Sequence, residues 1–168
     1  MIYRIILCFS LTHLSTNLTA QVCDKDIPKI YVSDKAKAVY ESKLAEAKIN
    51  FENNPNADNL IWLGRREAYL GNYEIAIDTY SKGLDQYPKD ARFYRHRGHR
   101  YISSRCFELA LKDFKKAVGL TRYEDNEIEP DGLPNALGIP TSTLQGNIYY
   151  HLGPVSYTHL TLPTNREV

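Results

Sequence analysis

The stretch NLIWLGRREAYLGNYEIAIDTYSKGLDQYPKD, residues Asn59 to Asp90, is followed by RFYRHRGHRYISSRCFELALKDFKKAVGL, residues Arg92 to Leu120, which repeats its pattern. When the two stretches are aligned at an offset of 34 positions, small, apolar or aromatic residues occupy the same places in both. The matched pairs are Leu60 with Tyr94, Gly64 with Gly98, Tyr73 with Phe107, Ala76 with Ala110, Tyr80 with Phe114, and Gly83 with Ala117. Apolar spacing near 3.6 predicts helices, and a repeated unit predicts that neighbouring units stack to bury a shared apolar face.

The period and these positions resemble the tetratricopeptide repeat, whose unit is about 34 residues long. Leu63 and Gly64 stand at the Leu-Gly of its first helix, Gly71-Asn72-Tyr73 at its turn, and Pro88 at its end. The second unit departs from the pattern, since Arg97 replaces the usual Leu and Arg105 replaces the turn Gly. The resemblance implies an all-α solenoid of helical hairpins, with repeats over 57–90 and 91–123 and a third that starts at 146–153 and is truncated.

Residues 1–20 have the pattern of a secretory signal peptide. Arg4 precedes the apolar run Ile5 to Leu11, and Ala20 supplies a small residue at the cleavage point. That run is shorter than the ~20 residues needed to span a membrane, so we expect an exported, periplasmic protein of a bacterium with no membrane span in the mature chain. Ala20-Gln21-Val22 is a poor approach to a lipidated cysteine, so we expect no lipid anchor at Cys23.

Three further segments flank the repeats. Residues 21–56 include Ser33-Asp34, which can cap a helix over about 35–52 that packs on the first repeat. Residues 124–145 form a predicted long loop, acidic in its first half and broken by three prolines. Residues 154–168 resemble a translated sequencing-library adapter, because Val155 to Thr164 match it residue for residue; we therefore expect this tail to be non-native and the natural chain to continue differently.

Basic side chains concentrate on the first helix of the second repeat, and the first helices of the repeat family line a concave groove. The resemblance places six residues in what we call the basic groove: Arg65, Tyr69, Arg92, Arg95, His99 and Ile102. Ile61 and Ala68 belong to the same stripe. Arginine forms strong bidentate hydrogen bonds with carboxylates, so we expect a protein or peptide partner that is acidic or bears a carboxylate.

The same cluster is also compatible with a purely structural role. Arg97 occupies a normally buried position and is predicted to pair with Glu74, Asp78 or Asp85, whereas His96 and Arg100 are predicted to be solvated. A further hypothesis is that the acidic segment 124–131, with five carboxylates, covers the basic groove of its own chain, because the stretch 92–105 has five arginines and no acid.

Other classes of function receive less support. The net charge of +1 and the predicted export argue against a nucleic-acid partner. His96 and His99 lack a third metal ligand on their stripe, so we expect no metal site and no cofactor. No catalytic motif is present, so we expect a non-enzymatic scaffold for protein–protein interaction. The alternative is a docking module of a larger enzyme or envelope-assembly factor. A disulfide between Cys23 and Cys106 and two unpaired thiols both remain open.

Overall fold

The structure, a computed structural model, describes residues 32–126, 128–129 and 135–161, with side chains as far as Tyr157. Within these ranges the regular elements are all helices, and the connections between them include turns and an isolated bridge between Ile128 and Thr143, which confirms the predicted all-α class. The helices are α1 (Asp34–Asn53), α2 (Ala57–Tyr69), α3 (Tyr73–Gln86), α4 (Ala91–Ser103), α5 (Phe107–Thr121) and α6 (Leu144–Thr161). The predicted signal peptide and Cys23 lie outside the described residues.

Side-chain caps set the starts of three helices. Ser33 Oγ accepts a hydrogen bond from Ala36 N at 3.4 Å at the start of α1. Asn56 caps α2 by accepting from Asn59 N at 2.9 Å, and Asp90 caps α4 by accepting from Arg92 N at 3.0 Å. Such caps satisfy backbone N–H groups that have no partner inside the helix.

The two helical hairpins turn through the same backbone conformation. Gly71 has a φ of 79° between α2 and α3, and Arg105, 34 positions later, has a φ of 54° between α4 and α5. Glycine adopts this left-handed region without steric cost, whereas arginine does so at a cost of roughly 1 kcal/mol. The repeat therefore conserves the geometry of its turn although the residue type changes.

The helices pack as successive hairpins. Helix α3 packs on α2 and α4, α5 packs on α4 and α6, and α1 packs on α2. Helices α2 and α4 also contact each other, as do α4 and α6, whereas the backbones of α3 and α5 lie farther apart among the described residues. Contact on one side and separation on the other give a curved array whose inner side is formed by α2, α4 and α6, an arrangement compatible with a hairpin solenoid.

Glycines at equivalent positions permit close contact between the two helices of each hairpin. A Cβ added to Gly64 would lie 2.4 Å from Tyr80 Cε1, and one added to Gly98 would lie 3.1 Å from Phe114 Cε2. Tyr80 and Phe114 are themselves fully buried. Each ring of the second helix thus lies directly against the glycine of the first, as the repeated pattern predicts.

Helix α6 corresponds to the predicted start of a third repeat, but its bounds differ from that prediction. Helix α6 begins at Leu144, before the predicted start at Gly146, and continues through Pro154 to Thr161. Ile148 and Val155 are buried with Phe114 in the second core cluster. Helix α6 therefore extends into the segment 154–168, whose foreign origin stays a prediction. No described helix combines the length and apolarity required to cross a membrane.

Candidate carboxylate-binding site on helix α4

The four arginines of α4 lie on different faces of the helix and contact different neighbours. Arg97 faces α5, where Nε and Nη2 each donate to an oxygen of Asp113 at 2.8 Å. Its Nη1 donates to Ser81 Oγ at 3.0 Å. The predicted pairing with Glu74, Asp78 or Asp85 is therefore wrong. The partner comes from α5 of the same hairpin, because position 113 faces the glycine of α4 and leaves room for a short acidic side chain.

Arg95 lies on the inner side and pairs with a carboxylate of the predicted loop. Arg95 Nη2 donates to Glu129 Oε2 at 2.6 Å, and both side chains are largely buried, with 13% and 11% of their surfaces exposed. Asn147 of α6 donates a second hydrogen bond to the same Glu129 oxygen. Glu129 thus connects α4 with α6 through a single carboxylate.

The backbone around Glu129 holds that carboxylate in place. Ile128 and Thr143 form an antiparallel bridge, and Glu129 N donates to Ser142 O at 2.9 Å. Gln145 Nε2 donates to Asp125 O at 2.7 Å. The described part of the insert is therefore attached to the start of α6 by main-chain contacts.

Arg95 is only partly satisfied by these contacts. Its Nη1 lies 2.9 Å from His96 Nδ1, which must act as acceptor because a guanidinium carries only donors. Its Nε is buried without an acceptor among the described residues. Burial lowers the pKa of Arg95, while the Glu129 charge opposes this effect and Arg65 adds to it. The Nε–H group of Arg95 is therefore a desolvated donor without an acceptor among the described residues, next to the Nη2 contact with Glu129.

The histidines of α4 are not solvated as predicted for His96. His96 is 8% exposed and stacks on the Tyr80 ring at a centroid distance of 5.6 Å. Burial, followed by the charge of Arg95, holds its pKa well below the ordinary value. His99 stacks on His151 of α6 at 4.2 Å. These rings are neutral at pH 7, so they contribute acceptors and aromatic surface to a site whose positive charge comes from arginine.

The other residues predicted to line the groove differ in the partners that they contact. Arg65 Nη2 donates to the Tyr69 hydroxyl at 3.0 Å, and its guanidinium lies 4.3 Å from the Trp62 ring centroid. Arg92 is held by Asp58 and Asp90 at 2.6 and 2.7 Å. Ile102 is partly buried against the second core cluster.

Two apolar members of the stripe are not on the groove surface. Ile61 and Ala68 are buried in the first core cluster, because α1 and α3 cover that side of α2. The concave stripe predicted for the first repeat is therefore reduced to Arg65 and Tyr69. Arg100, predicted to be solvated, is only partly exposed and lies near Tyr73, with its guanidinium 5.4 Å from that ring centroid.

The arrangement identifies contributors that sequence reasoning did not place at the site. Asn147 and His151 of α6 carried no signal of their own, because their approach to α4 depends on where α6 begins. No group of three or more metal-ligating side chains occurs among the described residues. Cys106, at the start of α5, is disulfide-bonded; the other two cysteines, Cys8 and Cys23, lie outside the described residues. Comparison with protein-family models finds no matching family, and comparison with curated proteins finds no match either.

Proposed function

We propose that the chain is a tetratricopeptide-repeat-like, non-enzymatic scaffold that binds an acidic or carboxylate-bearing segment of a partner protein through the basic groove. One observation carries the proposal: Arg95 holds a carboxylate, that of Glu129, supplied by the acidic segment of its own chain. Glu129 then acts as an internal ligand, and a partner takes its position on Arg95.

The geometry of Arg95 supports displacement by a partner. Glu129 reaches Nη2 and leaves the buried Nε without an acceptor among the described residues. A carboxylate placed bidentately across Nε and Nη2 satisfies both donors, and a buried unsatisfied donor costs about 1–3 kcal/mol. An incoming carboxylate with this geometry therefore has an advantage that the internal ligand lacks.

The groove also offers contacts on either side of Arg95. The Arg65–Tyr69 pair and the His99–His151 stack present partly exposed donors and rings on α2, α4 and α6. The positive charge of Arg65 lowers the pKa of Arg95, so the two guanidinium groups contribute to one positive region. Aromatic side chains beside a desolvated arginine are typical of residues that dominate binding energy.

The proposal is tested with the peptide EDNEIEPD, which copies residues 124–131. In a Glu129→Gln background we expect binding by isothermal titration calorimetry, and loss of about tenfold or more in affinity when Arg95→Gln is added. Arg122→Gln, on the exposed end of α5, is the matched control and should leave affinity unchanged. Equal affinity with and without Arg95→Gln, at unchanged helicity, would refute the proposal.

We further propose that the protein is exported to the bacterial periplasm without a lipid anchor. The signal-like pattern of residues 1–20 and the disulfide at Cys106 support this, because disulfides persist in oxidising compartments. Peptide mapping without reductant should recover Cys106 linked to Cys23, since Cys8 would leave with the signal. A free thiol at Cys106 in the purified protein would argue against export.

A further inference from the structure

A second candidate site lies beside the basic groove, in a cleft with a volume of about 410 Å³ between α1, α2, α3 and α4. Its walls include three tyrosines and one arginine, Tyr40, Tyr69, Tyr73 and Arg100, and are completed by small or apolar side chains of α2 and of the start of α1. Tyr40 and Tyr69 form one side, with ring centroids 5.9 Å apart. The cleft thus combines aromatic walls with a single positive charge, and its volume falls in the range of small-molecule sites.

Arg100 differs from the other arginines of α4, because no acidic side chain in the part of the chain that the structure describes pairs with it. Arg92 pairs with Asp58 and Asp90, Arg95 with Glu129, and Arg97 with Asp113. Among the described residues, Arg100 has no hydrogen bond or ion pair from its guanidinium; its contact is with the face of the Tyr73 ring. It is nevertheless only partly exposed.

An arginine in this position is costly to the fold. Arginine cannot lose its proton in a protein, and a partly buried charge without a counter-charge loses hydration without compensation. Burial lowers the pKa of Arg100, the tyrosines raise it, and Arg65 adds to the lowering. A charge kept at such a cost in a cleft is characteristic of a ligand site.

We infer that this cleft binds a small aromatic carboxylate, with Arg100 receiving the carboxylate and the tyrosines contacting the ring. The Arg100 guanidinium lies over the Tyr73 ring, and Tyr40 and Tyr69 supply further aromatic surface in the same cleft. The hydroxyl of Tyr69 is held by Arg65, which fixes that ring. The site adjoins the basic groove at Tyr69 but does not involve Arg95 or Glu129.

The test compares N-acetyl-phenylalanine with its amide on the full chain, by calorimetry or by ligand-observed NMR. We expect the acid to bind about tenfold more tightly than the amide, because a charge-assisted hydrogen bond is lost in the amide. Arg100→Gln should reduce the affinity for the acid by a similar factor, and Arg122→Gln should leave it unchanged.

Equal binding of acid and amide, or no binding of either, would overturn the inference. So would an Arg100→Gln protein that is folded by circular dichroism and binds the acid like the unsubstituted chain. Should Arg100→Gln fail to fold, the acid-to-amide comparison on the unsubstituted chain decides alone. Since neither probe involves Arg95 or Glu129, these results are independent of those for the acidic peptide.

Discussion

Arg92 Nη1 lies 2.6 Å from Asp58 Oδ1, and the two residues are 34 positions apart. They occupy the same place at the start of α4 and α2, so the contact joins equivalent points of consecutive hairpins. Contacts between equivalent positions of α2 and α4 mark the inner side of the array. Arg65 and Arg95 lie on the same side. Because Arg92 is partly buried and already engaged by two carboxylates, we expect it to contribute less to the proposed basic groove than its sequence position predicts.

The contact between hairpins depends on Gly83 of α3. A Cβ at this position would lie 2.1 Å from Cε1 of Phe93, a fully buried ring. Gly83→Ala should therefore lower the free energy of unfolding by about 1–3 kcal/mol through overpacking. Gly119→Ala in α5 is the matched control, since nothing lies within 4 Å of its added Cβ.

The control should raise the free energy of unfolding by up to about 1 kcal/mol, because alanine favours helix more than glycine. Urea unfolding followed by circular dichroism measures both variants. If Gly83→Ala also stabilised the protein, the packing of Phe93 on α3 would not be as described.

The buried pair of Arg97 and Asp113 gives a second prediction. Burial raises the pKa of the Asp113 carboxyl, and the Arg97 guanidinium opposes this effect. Arg97→Leu introduces the residue that stands at the equivalent position of the first unit, Leu63, but leaves Asp113 without its partner. It should destabilise the protein by on the order of 3 kcal/mol.

Replacing both residues should recover most of that loss. Arg97→Leu with Asp113→Leu removes the isolated charge, and apolar replacement of a buried ion pair is often neutral or stabilising. Thermal unfolding of the single and double variants provides the comparison. A double variant no more stable than Arg97→Leu alone would show that the pair has no such coupling.

The sequence predicted the helices and their pairing better than it predicted the contacts of the charged residues. Packing at Gly64 and Gly98 follows from the repeat, because the same small-to-aromatic contact recurs at one offset. For Arg97 the sequence favours a partner on α3, since the acidic residues of the preceding helix are its nearest candidates. The contact of Glu129 with Arg95 follows from the sequence only as a charge attraction, because a proline-broken segment has no periodicity from which its path can be predicted.

The stacked histidines predict a dependence of stability on pH. Burial, then the charges of Arg100, His151 and Arg95, lower the pKa of His99 to about 3. Burial, then Arg95 and Arg100, lower the pKa of His151 to about 4. In the unfolded chain both titrate near 6.5. Between these values the unfolded state binds more protons, so the free energy of unfolding should fall as pH decreases from about 7 to 4.

Each histidine contributes at most about 1.4 kcal/mol per pH unit to this slope. The double variant His99→Gln, His151→Gln should therefore show a flatter dependence than the unsubstituted chain, measured by urea unfolding at several pH values. Carboxylates contribute equally to both proteins and cancel in the difference. Identical slopes would mean that neither imidazole is buried in its neutral form.

Displacement of Glu129 is tested most directly by the affinity of the peptide EDNEIEPD for the intact chain and for Glu129→Gln. Removing an internal ligand abolishes competition at high effective concentration, so Glu129→Gln should bind the peptide about tenfold or more tightly than the unsubstituted chain. Asp125→Asn removes the same charge from an exposed side chain of the insert and should bind like the unsubstituted chain. If Glu129→Gln remains folded and its affinity equals that of the unsubstituted chain, Glu129 is a structural residue and the account of an internally occupied groove is wrong.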